Sequence, residues 1–245
     1  MENIIEINNV NLSYEKNINI LENLNLKIPK NSMVAIIGKS GVGKTTLFNS
    51  LLNDLKIQNG EIKIFGKNIK SLTKKEWKNI INNIGFLSQK NNLIEFENVF
   101  SNIKKTFSNY KNWFYRLFEI LTKKQKEDIF EKLNELNILD KLFTRIDQLS
   151  GGQQKKVEIA KLLCKKVEII LADEPTSNLD YQSSKIIFET LKNINLKYKT
   201  SVLVITHNLD FLKKYFDYII FVDKKNTWIK PIEEIDIWKI KEMMN

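Results

Sequence analysis

The chain has 245 residues, 42% hydrophobic and 28% charged, with a formal net charge of +10. That balance excludes a long disordered tract and fits one large domain or a core with a smaller lobe. No apolar run reaches the length of about 18 residues needed to cross a bilayer, and the basic residues are almost all lysine, with Arg116 and Arg145 the only arginines, so nucleic acid is not expected as a partner.

The N-terminus, MENIIEINNV, lacks a basic start and an apolar core, so no secretory signal is expected. Strands are predicted at 4–14, at 20–28, where apolar residues alternate from Leu24 to Ile28, and at 32–38 (SMVAIIG), a continuous apolar run that reads as a buried strand. A helix is predicted from Thr45, then strands at 61–66 and 83–89. From 92 to 149 there is neither glycine nor proline, and spacings such as Ile129, Leu133 and Leu136 are helical, which predicts a helical insertion. The rest alternates: helix 153–165, strand 167–172, helix 182–196, strand 201–205, helix 209–216, strand 218–222. Such alternation implies a mainly parallel sheet covered on both faces, with an α/β core at 1–91 and 150–245 and an inserted subdomain at 92–149. The only cysteine, Cys164, reads as a small buried hydrophobe, excludes an internal disulfide and fits a reducing compartment. The last twenty or so residues predict one amphipathic helix and are too short for a regulatory domain.

The stretch GKSGVGKTT (38–46) matches G-x-x-x-x-G-K-[ST] between a predicted buried strand and a predicted helix. Gly38, Gly41 and Gly43 allow the backbone to curl so that N–H groups, including those of Lys39, Ser40 and Val42, face phosphate oxygens. The following helix turns its positive N-terminus, with Thr46 in its first turn, to the same anions. Lys44 reaches the β- and γ-phosphates and the Thr45 hydroxyl takes Mg²⁺. ILADEP (170–175) supplies the carboxylates: Asp173 to hold Mg²⁺ through water, and Glu174 to polarise an attacking water. ATP and Mg²⁺ are therefore the expected ligands.

With these residues, the chain resembles the ATPase subunits of ABC transporters over nearly its whole length. LSGGQ (149–153) is that family's signature motif. The resemblance implies a P-loop ABC cassette: a mainly parallel RecA-like core, an N-terminal antiparallel β region and an inserted α-helical subdomain. It implies that Tyr14 stacks on adenine, that Gln89 in FLSQ joins the metal site, that Asp180 closes the segment SNLD, and that His207, the chain's lone histidine, acts as the switch. It also implies a head-to-tail pair of cassettes. Each site would take Lys44, Thr45, Gln89, Asp173, Glu174 and His207 from one copy, and Ser150, Gly151, Gly152 and Gln153 from the other.

A closer similarity is to the ATPase of phosphonate importers, carried by the aromatic-rich stretch NWFYRLFEIL (112–121), by Asp140, Lys141, Arg145, Asp147 and Gln148 before the signature motif, and by 183–195. The chain is also similar to the ATPase that mycoplasmas pair with a lipoprotein and a permease. These resemblances imply a high-affinity importer of a phosphonate-like or other small anionic solute. The cassette would sit on the cytoplasmic face of the membrane through an integral permease, served by an extracellular binding (lipo)protein. Departures are Tyr181 after Asp180, where proline is common, and Lys155 and Lys156, where Gln-Arg is preferred. The alternative function is a non-transport ABC ATPase acting on ribosome or DNA. For NWFYRLFEIL three readings stand: a core-facing helix whose face carries Trp113, Leu117 and Leu121, a face that docks the permease through Tyr115 and Phe118, and a membrane-surface anchor.

Overall fold

The structure is a computed structural model that describes residues 2–14, 19–52, 55, 57, 59–107, 113 and 120–244. Two long strands, β1 (Asn3–Ser13) and β2 (Asn19–Pro29), open the chain and pair antiparallel. In β2 the side chains of Leu24, Leu26 and Ile28 are buried while their neighbours are not, as alternation demands of a sheet with one covered face. β3 (Met33–Ile37) enters a second sheet, and α1 (Lys44–Leu51) follows the glycine-rich loop. β4 (Glu61–Ile64) and β5 (Lys67–Asn68) return to the first sheet, whose order is β2-β1-β4-β5. Then come α2 (Lys74–Asn82), β6 (Ile84–Leu87), α3 (Val99–Lys104) and α4 (Lys123–Glu135). The C-terminal half carries α5 (Gly151–Lys165), β7 (Ile169–Asp173), α6 (Tyr181–Tyr198), β8 (Ser201–Ile205), α7 (Leu212–Tyr215), β9 (Tyr218–Phe221), β10 (Trp228–Pro231) and α8 (Ile237–Met244).

The second sheet has the order β10-β9-β3-β8-β7-β6 and is parallel except for β10, which pairs antiparallel with β9. Its central strands separate two apolar clusters. Met33, Ala35 and Ile37 of β3 enter one and Val34 and Ile36 the other; Ile170 and Ala172 of β7 oppose Ile169 and Leu171 in the same way. A strand buried on both faces reads as an unbroken apolar run, which is why these strands stood out in the sequence. Leu93, Val99, Ile103, Ile129 and Leu133, all from the 92–149 stretch, join the cluster that covers one face of this sheet. The parallel strands β3, β6, β7 and β8 end at Ile37, Leu87, Asp173 and Ile205. Their carboxyl ends form one edge, the edge where open α/β sheets bind ligands.

The structure departs from the sequence reading in four places. α2 was not anticipated, because only Ile80 of its nine residues is buried; what makes it helical is a capping box, Thr73 accepting from the Glu76 N–H while Glu76 accepts from Thr73. The 92–149 stretch is less helical than expected among the described residues. Residues 93–98 form no helix, since Ile94 is gripped by Asn102, which accepts its N–H at 2.7 Å and donates to its carbonyl at 3.1 Å. The predicted helix 209–216 begins as a 3-10 turn, Leu209–Phe211, with α7 as a single turn after it. Most of 112–121, including Tyr115, Leu117 and Phe118, lies outside the described residues. Trp113 is 75% exposed whereas Leu121 is buried, so the core-facing side expected to carry both does not. Cys164 is buried, and burial pushes its thiol up to about 12, as suits a packing residue. No helix among the described residues is long and apolar enough to cross a membrane.

Candidate functional site

The loop after β3 bends through positive φ at each of its glycines: 153° at Gly38, 73° at Gly41 and 116° at Gly43. At two of them nothing larger fits. A Cβ on Gly38 would lie 2.5 Å from the Val222 carbonyl oxygen, and one on Gly43 would lie 2.8 Å from Cγ2 of Ile20. Gly43 is also the N-cap of α1, so the loop delivers the chain straight into a helix whose first N–H groups are unpaired. Gly38→Ala is expected to cost about 2–3 kcal/mol and to weaken ATP binding. Thermal unfolding and nucleotide titration check this; a variant with wild-type Tm and affinity would show that the Val222 contact does not shape the loop.

Lys44 is buried beneath this loop, its Nζ donating to the carbonyls of Gly38 and Lys39 at 2.9 Å each. Burial holds its pKa below the usual lysine value, while the nearby carboxylates of Glu174 and Asp173 pull the other way. Thr45 Oγ1 donates to Asp173 Oδ2 at 3.4 Å, bringing a hydroxyl and a carboxylate together from α1 and β7. The Asp173 carboxyl is raised, first by burial and then by the charge of Glu174, with Thr45 and Lys44 opposing. Glu174 follows in the left-handed region at φ 45°, a conformation that costs a non-glycine residue free energy and needs support. Its N–H supplies that support by donating to the Ile205 carbonyl at 3.1 Å. Its Oε1 lies 3.1 Å from Nε2 of His207, which stands just past β8.

The remaining sequence candidates occupy two further places. Tyr14 is exposed beside α1, its hydroxyl accepting from Asn49 at 3.1 Å and Thr46 at 3.5 Å. Ser150 caps α5: it accepts from the Gln153 N–H at 3.3 Å, and Gln153 accepts from the Ser150 N–H at 2.9 Å. With Gly151 and Gly152 in the first turn, this is a second helix N-terminus, and among the described residues no hydrogen bond joins it to the Gly38–Thr46 loop of the same chain. Asp180 caps α6, accepting from the Ser183 N–H at 2.9 Å and its hydroxyl at 2.6 Å, and these bonds hold its carboxyl below the usual range. Gln89 makes no hydrogen bond to Thr45 or Asp173; it lines a cavity of about 390 Å³ with Gly151, Pro175 and Leu179. A larger cavity, about 720 Å³, runs past Glu174, His207, Ser177 and Leu179.

So the structure gathers Lys44, Thr45, Asp173, Glu174 and His207 into one cluster, to which Ser150–Gln153 makes no hydrogen bond among the described residues. Not singled out for function were Glu158, Asn91 and Asn92. Glu158 forms a buried ion pair with Lys155 at 2.6 Å, and Asn92 N–H donates to Glu158 at 2.9 Å. A Lys-Glu pair three apart on a helix usually signals an exposed face. The only sequence hint was that Lys155 departs from the motif it follows.

Comparison with known proteins decides the family. A family model described as ABC transporter matches residues 21–177, more than half of the chain. The chain belongs to the ABC transporter family. It is an ATP-binding, ATP-hydrolysing subunit of a transporter. An ABC transporter ATP-binding protein of Mesomycoplasma hyorhinis, p29, is 41% identical over 218 residues, covering 89% of this chain and 86% of that protein. The phosphonates import ATP-binding protein PhnC of Lactobacillus johnsonii is 36% identical, covering 89% and 86%. The zinc uptake system ATP-binding protein ZurA of Listeria monocytogenes is 35% identical, covering 92% and 84%. Among solved structures, cbiO1 from Clostridium perfringens superimposes with a TM-score of 0.84 at 23% identity, over 99% of this chain and 93% of that one, which speaks to the fold. The ATP-binding cassette MJ0796, in a dimeric post-hydrolysis state bound to ADP and Pi, gives 0.77 at 27% identity, over 94% and 100%. ABC ATPases work as dimers and with membrane permeases. These relatives lend no support to action on ribosome or DNA.

Proposed function

We propose that this ABC ATPase powers a binding-protein-dependent importer of a phosphonate-like or other small anionic solute, seated on the cytoplasmic face of the membrane through its permease. The observation that carries the reading is the match to phosphonate-import ATPases at 36–37% identity over 89% of the chain. In this reading Tyr14 stacks on adenine, and the Gly38–Thr46 loop cradles the phosphates with Lys44. Thr45 and Asp173 would hold Mg²⁺, which would neutralise charge on the nucleotide phosphates. That donor set fits the ion, since Mg²⁺ takes oxygen ligands and is commonly held by one or two carboxylates plus substrate phosphates and water. Gln89 would add a side-chain oxygen to that donor set. Glu174 polarises the attacking water and His207 orients Glu174. Ser150, Gly151, Gly152 and Gln153 close the site of a second copy, with Asp180 between. The aromatic stretch 112–121 in the 92–149 subdomain serves the permease.

The test is to trap Glu174→Gln with ATP in native membranes, solubilise gently and identify the bound proteins by mass spectrometry. A multi-span permease with a binding lipoprotein is expected, and the purified lipoprotein should bind an alkylphosphonate in preference to zinc. Ribosomal or DNA-bound proteins without a permease would overturn the transport reading; zinc binding alone would overturn the substrate.

A further inference from the structure

Lys155 and Glu158 lie three residues apart on one face of α5, with side chains only 7% and 5% exposed. The Lys155 ammonium donates to Glu158 Oε2 at 2.6 Å and to the Ser88 carbonyl at 2.9 Å. Glu158 Oε1 accepts the Asn92 N–H at 2.9 Å. On the same face, Gln154 Oε1 accepts from Asn91 Nδ2 at 2.6 Å, and Lys161 Nζ donates to the Asn92 carbonyl at 3.2 Å. Ser88, Asn91 and Asn92 are therefore tied to α5, and the two residues between them, Gln89 and Lys90, are exposed and receive no hydrogen bond from that helix.

A buried ion pair is a poor way to hold two elements together. Desolvating both charges costs several kcal/mol each, and a well-packed apolar pair would often hold them as well or better. What the pair adds is direction. Both carboxylate oxygens are used, and two of the partners are main-chain groups flanking Gln89, so the loop has one register against the helix. The same helix begins at Ser150, and Gln154 extends the tie by donating to the carbonyls of Ile146 and Leu149 just before it. One rigid element thus joins the Gln89 loop to the Ser150 tip.

We propose that Lys155 and Glu158 are positioning residues: they clamp the Gln89 loop to α5, so that displacement of Gln89 at one nucleotide site moves the Ser150 tip offered to the other. The proposal rests on the roles given to Gln89 and Ser150 under Proposed function. It is tested on the full chain with Glu158→Gln and with the double variant Lys155→Met/Glu158→Leu, which leaves no buried charge unpaired and so should fold. The readouts are nucleotide affinity of the monomer, kcat and KM for ATP, and the ATP concentration that drives dimerisation.

Glu158→Gln offers one acceptor oxygen to two donors, the Asn92 N–H and the Lys155 ammonium, and removes the countercharge, so it should loosen the clamp and lower kcat about threefold to tenfold. The double variant should keep monomer nucleotide affinity, lose about tenfold to a hundredfold in kcat through misplacement of the loop, and dimerise only at higher ATP. A folded double variant with wild-type kcat and dimerisation overturns the clamp. So does one whose nucleotide affinity falls as far as its kcat, the mark of general loosening. A wild-type chain that neither dimerises with ATP nor hydrolyses it overturns the underlying site assignment instead.

Discussion

Glu174→Gln is expected to lower kcat for ATP hydrolysis about 10²–10⁴-fold, the range for loss of a general base, while ATP still binds and drives pairing. The geometry separates these effects. Glu174 makes no contact with the Gly38–Thr46 loop that a glutamine would break: its backbone bond is to Ile205 and its side chain faces His207 at 3.1 Å. The substitution keeps shape and hydrogen-bonding capacity and removes only the basic oxygen and the charge. It also relieves Asp173, whose carboxyl is raised in part by Glu174, so the metal side of the site should not suffer. The left-handed backbone at Glu174 is unaffected by an isosteric side chain. Steady-state phosphate release and size-exclusion chromatography with ATP are the measurements. A variant that hydrolyses at near the wild-type rate would remove Glu174 from the mechanism.

Lys44→Met should have the opposite profile: ATP affinity reduced by about 10- to 100-fold, from loss of charge-assisted hydrogen bonds worth about 1.5–3 kcal/mol, with little loss of stability. Lys44 is buried, and its pKa is lowered chiefly by that burial, so the folded chain does not favour its charge. Methionine fills the volume without the desolvation cost, offset by two loop carbonyls, Gly38 and Lys39, that lose a donor. Tm within a few degrees of wild type, beside weak binding, is the expected pair of results. Undiminished affinity would show that the ammonium stays with the loop carbonyls and does not reach the nucleotide.

How far these residues could be read from the sequence depended on what kind of interaction places them. β3, β7 and β8 announce themselves because strands buried on both faces need unbroken apolar runs, and the loop after β3 needs glycine at positive φ whatever else the fold does. The shared edge that gathers Lys44, Asp173, Glu174 and His207 follows from parallel strands ending together. Less was visible where side chains satisfy local backbone. α2 depends on the Thr73–Glu76 box more than on an apolar stripe, and residues 93–98 avoid helix through Asn102. Asp180 and Ser150 carry helix caps that motif spacing alone does not reveal. The Lys155–Glu158 pair was hidden for a different reason: its burial is created by the loop at 88–92 folding over α5, a long-range contact that no local pattern records. Gln89 shows the same limit, since its motif named a metal role but not its position beside Gly151.

That each nucleotide site is built from two copies can be tested by mixing. Lys44→Met spoils the phosphate loop and leaves the Ser150 tip intact. Ser150→Asp keeps a good helix cap on α5 but sets a negative charge against the incoming phosphate. Each variant alone should be nearly inactive. In a head-to-tail pair, one mixed dimer carries both lesions in one site and leaves the other site whole. An equimolar mixture should therefore recover about a quarter of the wild-type rate, because about half of randomly formed two-fold dimers are mixed and each holds one good site. A mixture no more active than its components would contradict the shared site and place the whole reaction within a single chain.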